Sequence, residues 1–583
     1  MKKIYLALLG VIFLTSCDLS KYRLVKEYDF ETVFERSEGT ETATYNQIIS
    51  YYQQLTEAFP TIRMEEYGLT DSGQPLHLVI YSPDEIFDLA KLRENKTIIL
   101  INNGIHPGES DGIDATMMLF RDYADNKIAV PRNTVIVTIP VYNIGGALNR
   151  NSTTRVNQNG PVEYGFRGNA RNYDLNRDFI KADTRNTRSF AEIFHHVNPD
   201  IFIDTHVSNG ADYQYTLTHL FTQHNKLGGE LGEYLERSFI PSFEKSLFEH
   251  DWDITPYVNV FNEVPEKGFQ QFLDTPRYST GYAALWNSLG LMIETHMLKP
   301  YKDRVEGTYR ALQSIVDVAE RDGPTIKDLR ARAQRKYLTE RHYPVNFKVD
   351  SSNFSKISFK GYEGEMVDSD ITNGNRLKYD QTKPFEKEID FYNIFEPTER
   401  IEIPRAYVIP QGWWNVIDIL KTNKIEMTPL ARDTVMLVEV YRIEDYETRE
   451  NAYEGHYQHY NTSVSKTVEN VTFRKGDLYI KTFQPGVRYL LETLEPITTD
   501  SFFNWNFFDG ILQRKEGFSP YVFEDKAAKI MEENPGLREE FDTKKREDRE
   551  FSNSSSLQLN WIFERSSNYE ASHLRYPVFR ISR

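Results

Sequence analysis

His106 and Glu109 stand three residues apart in Gly104-Ile105-His106-Pro107-Gly108-Glu109. A neutral imidazole and a carboxylate at that spacing on one turn reach the same cation, and they form part of a catalytic zinc shell, which needs a third protein ligand and an open position for water. A chain with 13 His and many Glu offers such a pair by chance, so its partners must be found elsewhere. His206 closes Asp200-Ile201-Phe202-Ile203-Asp204-Thr205-His206. It ends an apolar run, where parallel sheets present reactive groups, and is read as the third ligand. His195 and His196 are rivals, placed at a helix end. Glu294 ends Gly290-Leu291-Met292-Ile293-Glu294. A carboxylate there is either a solvated edge residue or a general base that takes a proton from water and passes it to a leaving amine. Asp174-Leu175-Asn176-Arg177 lies on a polar loop between them. The planar fork of Arg177 grips a carboxylate in two places and Asn176 adds a directed hydrogen bond, which suits a free peptide C-terminus. The alternative is a surface loop with an ion pair.

The elements that must hold these residues are apolar runs broken by turns. Lys96 to Leu100, Thr134 to Ile139, Asp200 to Asp204 and Gly290 to Glu294 read as buried strands, and helices are predicted over 44–55, 115–123, 184–196, 225–247 and 300–320. Strands alternating with helices predict a mixed or parallel sheet covered on both faces. The stretch 143–178 is rich in Asn, Gly and Arg and has little periodicity; a loop that long inside a domain is usually functional. After about residue 340 short strand-like runs separated by turns predict a β-rich, sandwich-like region over 340–495, followed by a mixed region over 496–583.

At 583 residues the chain is too long for one core. Hydrophobic content of 39% and charged content of 27% suit a soluble globular body, and a net charge of −17 argues against nucleic acid as a partner. The chain begins Met1-Lys2-Lys3, then runs apolar from Ile4 to Leu14 and reaches Thr15-Ser16-Cys17. That is a secretory signal, too short to span a membrane. Leu14-Thr15-Ser16-Cys17 resembles a bacterial lipobox, with cleavage before Cys17 and lipid on its sulfur. Cys17 is the single cysteine, so no disulfide contributes to stability. The expected layout is a signal and lipobox over 1–17, a polar tether over 18–40, a catalytic domain over 41–335 and the β-rich region beyond. The expected location is the bacterial cell envelope, with the body anchored to a membrane through lipid on Cys17.

In order along the chain, His-x-x-Glu, Asp-Leu-Asn-Arg, a strand-end His and a strand-end Glu resemble the carboxypeptidase A-like zinc metallocarboxypeptidases over roughly residues 40–330. The resemblance implies an α/β fold with a mixed eight-stranded sheet and one zinc ion on His106, Glu109 and His206. It implies Glu294 as the catalytic carboxylate, Asn176 and Arg177 as the carboxylate-binding pair, and Asp174 as the residue orienting a ligating His. The family also uses an Arg to stabilise the oxyanion. Arg155, Arg167 and Arg171 are candidates, with Arg171 or Arg167 preferred because Phe166 to Arg171 runs directly into the motif. Tyr278 and Tyr282 are candidates for the Tyr that closes over substrate. The expected substrate is a peptide or cell-wall peptide with a free C-terminus. Alternatives are a zinc deacylase of N-acyl amino acids and a lipoprotein whose peptidase domain only binds.

Overall fold

The structure, a computed structural model, describes residues 28–583; the signal, the lipobox and Cys17 lie outside the described residues. Nine strands come first in the chain: β1 Ile62–Leu69, β2 Pro75–Tyr81, β3 Thr97–Asn102, β4 Thr134–Ile139, β5 Ile201–Ser208, β6 Leu217–Phe221, β7 Ile254–Pro256, β8 Phe269–Gln270 and β9 Leu289–His296. All but β8 form one sheet in the order β1-β2-β4-β3-β5-β9-β6-β7. Strands β4, β3, β5 and β9 run parallel, β1 and β2 pair antiparallel with their neighbours, and β6 pairs antiparallel with β9 and parallel with β7. This is the mixed eight-stranded sheet expected.

The parallel centre explains the continuous apolar runs. Ile98, Ile99, Leu100 and Ile101 are all fully buried, because helices cover both faces and neither set of alternating side chains meets water. Helix Asp111–Ala124 follows β3 and helix Arg185–Val197 leads into β5. Tyr301–Thr339 is one helix of 39 residues, longer than the predicted 300–320, and it runs through Pro324. Burial of Ile315, Ile326 and Leu329 outweighs the roughly 3 kcal/mol that an interior proline costs.

Residues 28–40, expected within the tether, pack on the domain instead. Phe34 is buried with its ring edge-on to Tyr301, and Glu35 pairs with Arg121 at 2.7 Å. Charge composition alone reads as a tether, but Phe30 and Phe34 supply apolar surface to bury.

Ten strands follow: β10 His342–Val349, β11 Ser355–Asp368, β12 Asn375–Tyr392, β13 Phe395–Glu402, β14 Ala406–Ile409, β15 Thr428–Pro429, β16 Thr434–Thr448, β17 His459–Phe473, β18 Leu478–Lys481 and β19 Phe579–Ile581. They form three sheets: β10-β13, β11-β12-β8 and β15-β18-β14-β19-β16-β17. Two predicted boundaries dissolve here. β19 pairs with β14 and β16, so the last residues complete a sheet begun at Ala406 and 496–583 is not separate. One apolar core runs without a break from Phe34 to Val578, joining both halves of the chain. Smaller cores stand beside it: one around Phe523, Phe541 and Trp561 in the helices between Pro520 and Glu564, one around Tyr213, Phe269 and Phe359, and one around Val408, Val440 and Phe579.

A candidate metal centre and its cavity

The parallel strands end at one edge of the sheet, and the turn after β3 carries His106 and Glu109 there. Gly104 makes that turn with φ of 68°, a region a side chain rarely adopts. β5 delivers His206, which pairs across the parallel ladder with Glu294 on β9. Adjacent register places both side chains at the same edge.

His106, Glu109 and His206 bring one donor atom each to within 4.8 Å of the others, and all three are buried. Nδ1 of His106 lies 3.2 Å from Glu109 Oε2, and Nδ1 of His206 lies 3.0 Å from the same oxygen. Tetrahedral ligands on zinc stand roughly 3.3 Å apart, so the spacing fits that cation. The remote nitrogen of each ring is tied to a carboxylate: His106 Nε2 to Asp174 at 2.9 Å and His206 Nε2 to Asp204 at 2.9 Å. Those partners fix ring orientation and leave the two Nδ1 atoms facing inward, as a zinc site requires. Two imidazoles and one carboxylate suit zinc, and the residues fit the ion.

The electrostatics follow from the enclosure. Burial alone would raise the Glu109 carboxyl, yet Arg155 and His106 hold it well below the carboxylate range. Arg155 Nη2 sits 2.8 Å from Glu109 Oε1. Burial would lower the His206 imidazole, but Asp204 and Glu109 raise it well above its ordinary value. Burial pushes the Glu294 carboxyl up to about 7, with Glu109 and Asp204 adding to the rise and His206 opposing it. Asp174 goes the other way: His106, Arg167 and Arg177 overcome its burial and depress it strongly.

His106, Glu109, His206 and Glu294 line one cavity of about 130 Å³ together with Arg167, Asn176 and Arg177. Its wall is apolar where Leu220 of β6 pairs with Met292 of β9, and Phe272, Tyr257 and Tyr278 complete it. Asn176 and Arg177 sit on a single helical turn, Leu175–Arg177, capped by the Asp174 side chain, which accepts the Asn176 N–H. The Arg177 guanidinium lies 4.5 Å from the centre of the Tyr278 ring.

The candidates left open in the sequence separate cleanly. Arg167 lines the cavity, donating to Asp174 through Nε and Nη2, with Nη1 3.4 Å from His106 Nδ1. Arg171 does not reach it: its side chain is half exposed and donates to the Asp183 carbonyl at 3.1 Å. Proximity in sequence misled here, because the loop reverses at Asn172, whose φ is 63°, and turns Arg171 outward. Tyr278 faces the cavity, whereas Tyr282 is buried among Phe179, Phe190 and Phe194. His195 packs on Trp286 and His196 on Tyr67, both away from the metal cluster. Asp204 was missed by sequence reasoning. The signal was present, since residues two apart on a strand share a face and Asp204 precedes His206 by two.

Residues 48–207 match the family described as zinc carboxypeptidase, peptidase family M14. Carboxypeptidase 2 of Trichophyton equinum is 23% identical, over 71% of this chain and 74% of its own length. Carboxypeptidase 2 of Trichophyton rubrum is 22% identical, over 80% of this chain and 84% of its own. A metallo-carboxypeptidase crystal structure from Burkholderia cenocepacia aligns with a TM-score of 0.36 and 16% identity, over 48% of this chain and 70% of that one. The His106–Glu109–His206 cluster lies inside the stretch that matches the zinc carboxypeptidase family, and with the carboxypeptidase relatives it makes the chain a metallocarboxypeptidase.

Proposed function

We propose that the protein removes apolar C-terminal residues from peptides or cell-wall peptides at the bacterial cell envelope, using one zinc ion. The observation that carries this reading is convergence: metal ligands, Glu294 and Arg177 line one cavity. Zinc held by His106, Glu109 and His206 would supply a Lewis acid for the scissile carbonyl and lower the pKa of water to roughly 7. Arg177 and Asn176 hold the substrate's terminal carboxylate. Leu220, Met292 and Phe272 receive the terminal side chain. Arg167 faces the negative charge that develops on the carbonyl oxygen. Glu294 takes a proton as water oxygen bonds to the carbonyl carbon, then returns it to the amine nitrogen as the C–N bond breaks. Tyr278, beside Arg177, covers the occupied end.

The envelope assignment is supported by the charged start, the apolar run from Ile4 to Leu14 and the lipobox-like Leu14-Thr15-Ser16-Cys17. Among the described residues no helix is long and apolar enough to cross a membrane, so lipid on Cys17 is the anchor proposed. The test combines metal content with hydrolysis of peptides that end in Leu, Phe, Lys or Glu, each as free acid and as amide. One zinc per chain and release of Leu or Phe from the free acids are expected. Equal cleavage of the amides, or a metal-free active enzyme, would sink the reading.

A further inference from the structure

The hairpin β16–β17 continues past its named strands. Arg449 N–H donates to the Gln458 carbonyl at 3.0 Å, and Tyr453 and His456 exchange backbone bonds of 2.7 and 3.1 Å. The closing pair, Glu454 and Gly455, has φ of 49° and 81°. Two left-handed residues make a tight turn that matches strand twist. Glu is an unusual choice for that conformation.

The turn is planted on the substrate side of the cavity. Glu454 Oε2 accepts the Asp174 N–H at 2.8 Å. Gly455 lies so close to Tyr173 that a Cβ would stand 2.4 Å from its hydroxyl. His456 Nε2 is 2.8 Å from Asp183 Oδ2. Tyr453 interacts with the Arg177 guanidinium, and Arg277 lies 5.8 Å from the centre of the Tyr453 ring. Arg277 immediately precedes Tyr278 and is held by Asp500 at 2.8 Å and over Trp505 at 4.9 Å. These contacts fall on the loop that carries Asn176 and Arg177 and on Arg277, next to Tyr278 of the cavity, and each comes from beyond residue 450.

We propose that this hairpin tip is part of the carboxylate pocket, with Tyr453 and Glu454 as positioning residues that aim Arg177 and fix the Asp174 backbone. The proposal rests on the carboxypeptidase reading above. A carboxylate on the Asp174 amide fixes the start of the turn that carries Asn176 and Arg177, and a phenol wedged beside the Arg177 and Arg277 guanidinium groups limits where the Arg177 fork can point. The substrate pocket is then built from both halves of the chain.

The experiment uses the full-length, zinc-loaded protein. Tyr453→Phe removes the hydroxyl and keeps the ring stacked on Trp505. KM for a free-acid peptide should rise roughly tenfold, the size of one lost bond to a charged group, with kcat within about twofold. Zinc stoichiometry and Tm should not move. An unchanged KM overturns the proposal. If Tyr453→Phe lowers Tm sharply, Glu454→Gln and Glu454→Ala decide: Gln keeps an acceptor for the Asp174 amide and should restore the wild-type KM, whereas Ala should not. Equal KM values for the two overturn it. If the wild type cleaves no free-acid peptide, the carboxypeptidase reading fails by itself, and calorimetric binding of the same peptide tests the hairpin. Equal affinity of wild type and Tyr453→Phe, or no binding by either, then overturns the hairpin proposal.

Discussion

The two ends of the cavity are held in different ways. At the metal end His206 and Glu294 project from paired strands, and His106 and Glu109 from the turn after β3. Asp174 and Asp204 fix the two rings, and Arg155 fixes Glu109. At the carboxylate end Asn176 and Arg177 ride one helical turn in a long loop. Its backbone is bonded to Glu454, 280 residues further on. The metal end therefore draws on strands and a turn within one domain, while the loop proposed to hold the substrate carboxylate is also bonded to a remote hairpin. A chain cut at residue 340 would keep every metal ligand and lose Tyr453, Glu454 and Asp500.

The largest expected effect belongs to Glu294, the proposed proton carrier in the same cavity. Gln keeps its size but carries no proton, so Glu294→Gln should lower kcat by roughly 10²–10⁴-fold. Zinc content and free-acid peptide affinity should stay at wild-type levels. The pH profile gives a second check. The carboxyl stands at about 7, raised chiefly by burial, and only its charged form can accept a proton. Activity must therefore fall as pH falls through its pKa, and a bound cation, which favours the carboxylate, moves that limb below about 7. The limb should vanish in Glu294→Gln; a persisting limb would assign it to another group.

The next pair separates the two ends. Arg177→Met should cost roughly 1.5–3 kcal/mol in kcat/KM on free-acid peptides and little on amides, with zinc affinity unchanged. Asp204→Asn should do the reverse. It removes the carboxylate that orients His206, which is expected to weaken zinc binding roughly 10–100-fold while leaving KM of the zinc-loaded enzyme near normal. Competitive chelator titration and steady-state kinetics on both variants complete the cross. A shared pattern in both variants would mean that the ends are not independent.

That division also explains what could be read from the sequence. The sheet was legible because strands buried on both faces leave continuous apolar runs such as Ile98 to Ile101; His206 was legible because it closes such a run, and His106 and Glu109 because of their spacing on one turn. The carboxylate end was only half legible. Asp174 to Arg177 stands out as a motif, but Glu454 and Tyr453 sit in Glu450-Asn451-Ala452-Tyr453-Glu454-Gly455, an ordinary polar turn whose partners are fixed only by tertiary packing. Arg167 and Arg171 could not be separated, since a left-handed residue at Asn172 decides which one points inward. The boundary drawn at 495 failed for a similar reason: β19 is three residues long, too short to show a period.

The smallest effect asks what else holds the carboxylate loop. Thr184 caps helix Arg185–Val197, its Oγ1 accepting the Thr187 N–H at 3.1 Å and donating to Asp178 Oδ2 at 2.6 Å. Asp178 directly follows Arg177, so this cap ties the loop to helix Arg185–Val197. Losing a threonine cap costs about 1 kcal/mol. Thr184→Ala should therefore lower Tm by about 2 °C, whereas Thr184→Ser should not. Asp178 keeps the Thr184 N–H at 3.1 Å and the Thr187 hydroxyl at 2.6 Å, so the loop retains most of this anchor. With the hairpin intact, KM for free-acid peptides should change by less than about twofold, an energy below that of one neutral hydrogen bond. Thermal melting and steady-state kinetics on Thr184→Ala and Thr184→Ser measure both quantities. A KM rise in Thr184→Ala as large as that from Tyr453→Phe would place control of Arg177 in helix Arg185–Val197 and remove the contrast between the two ends of the cavity.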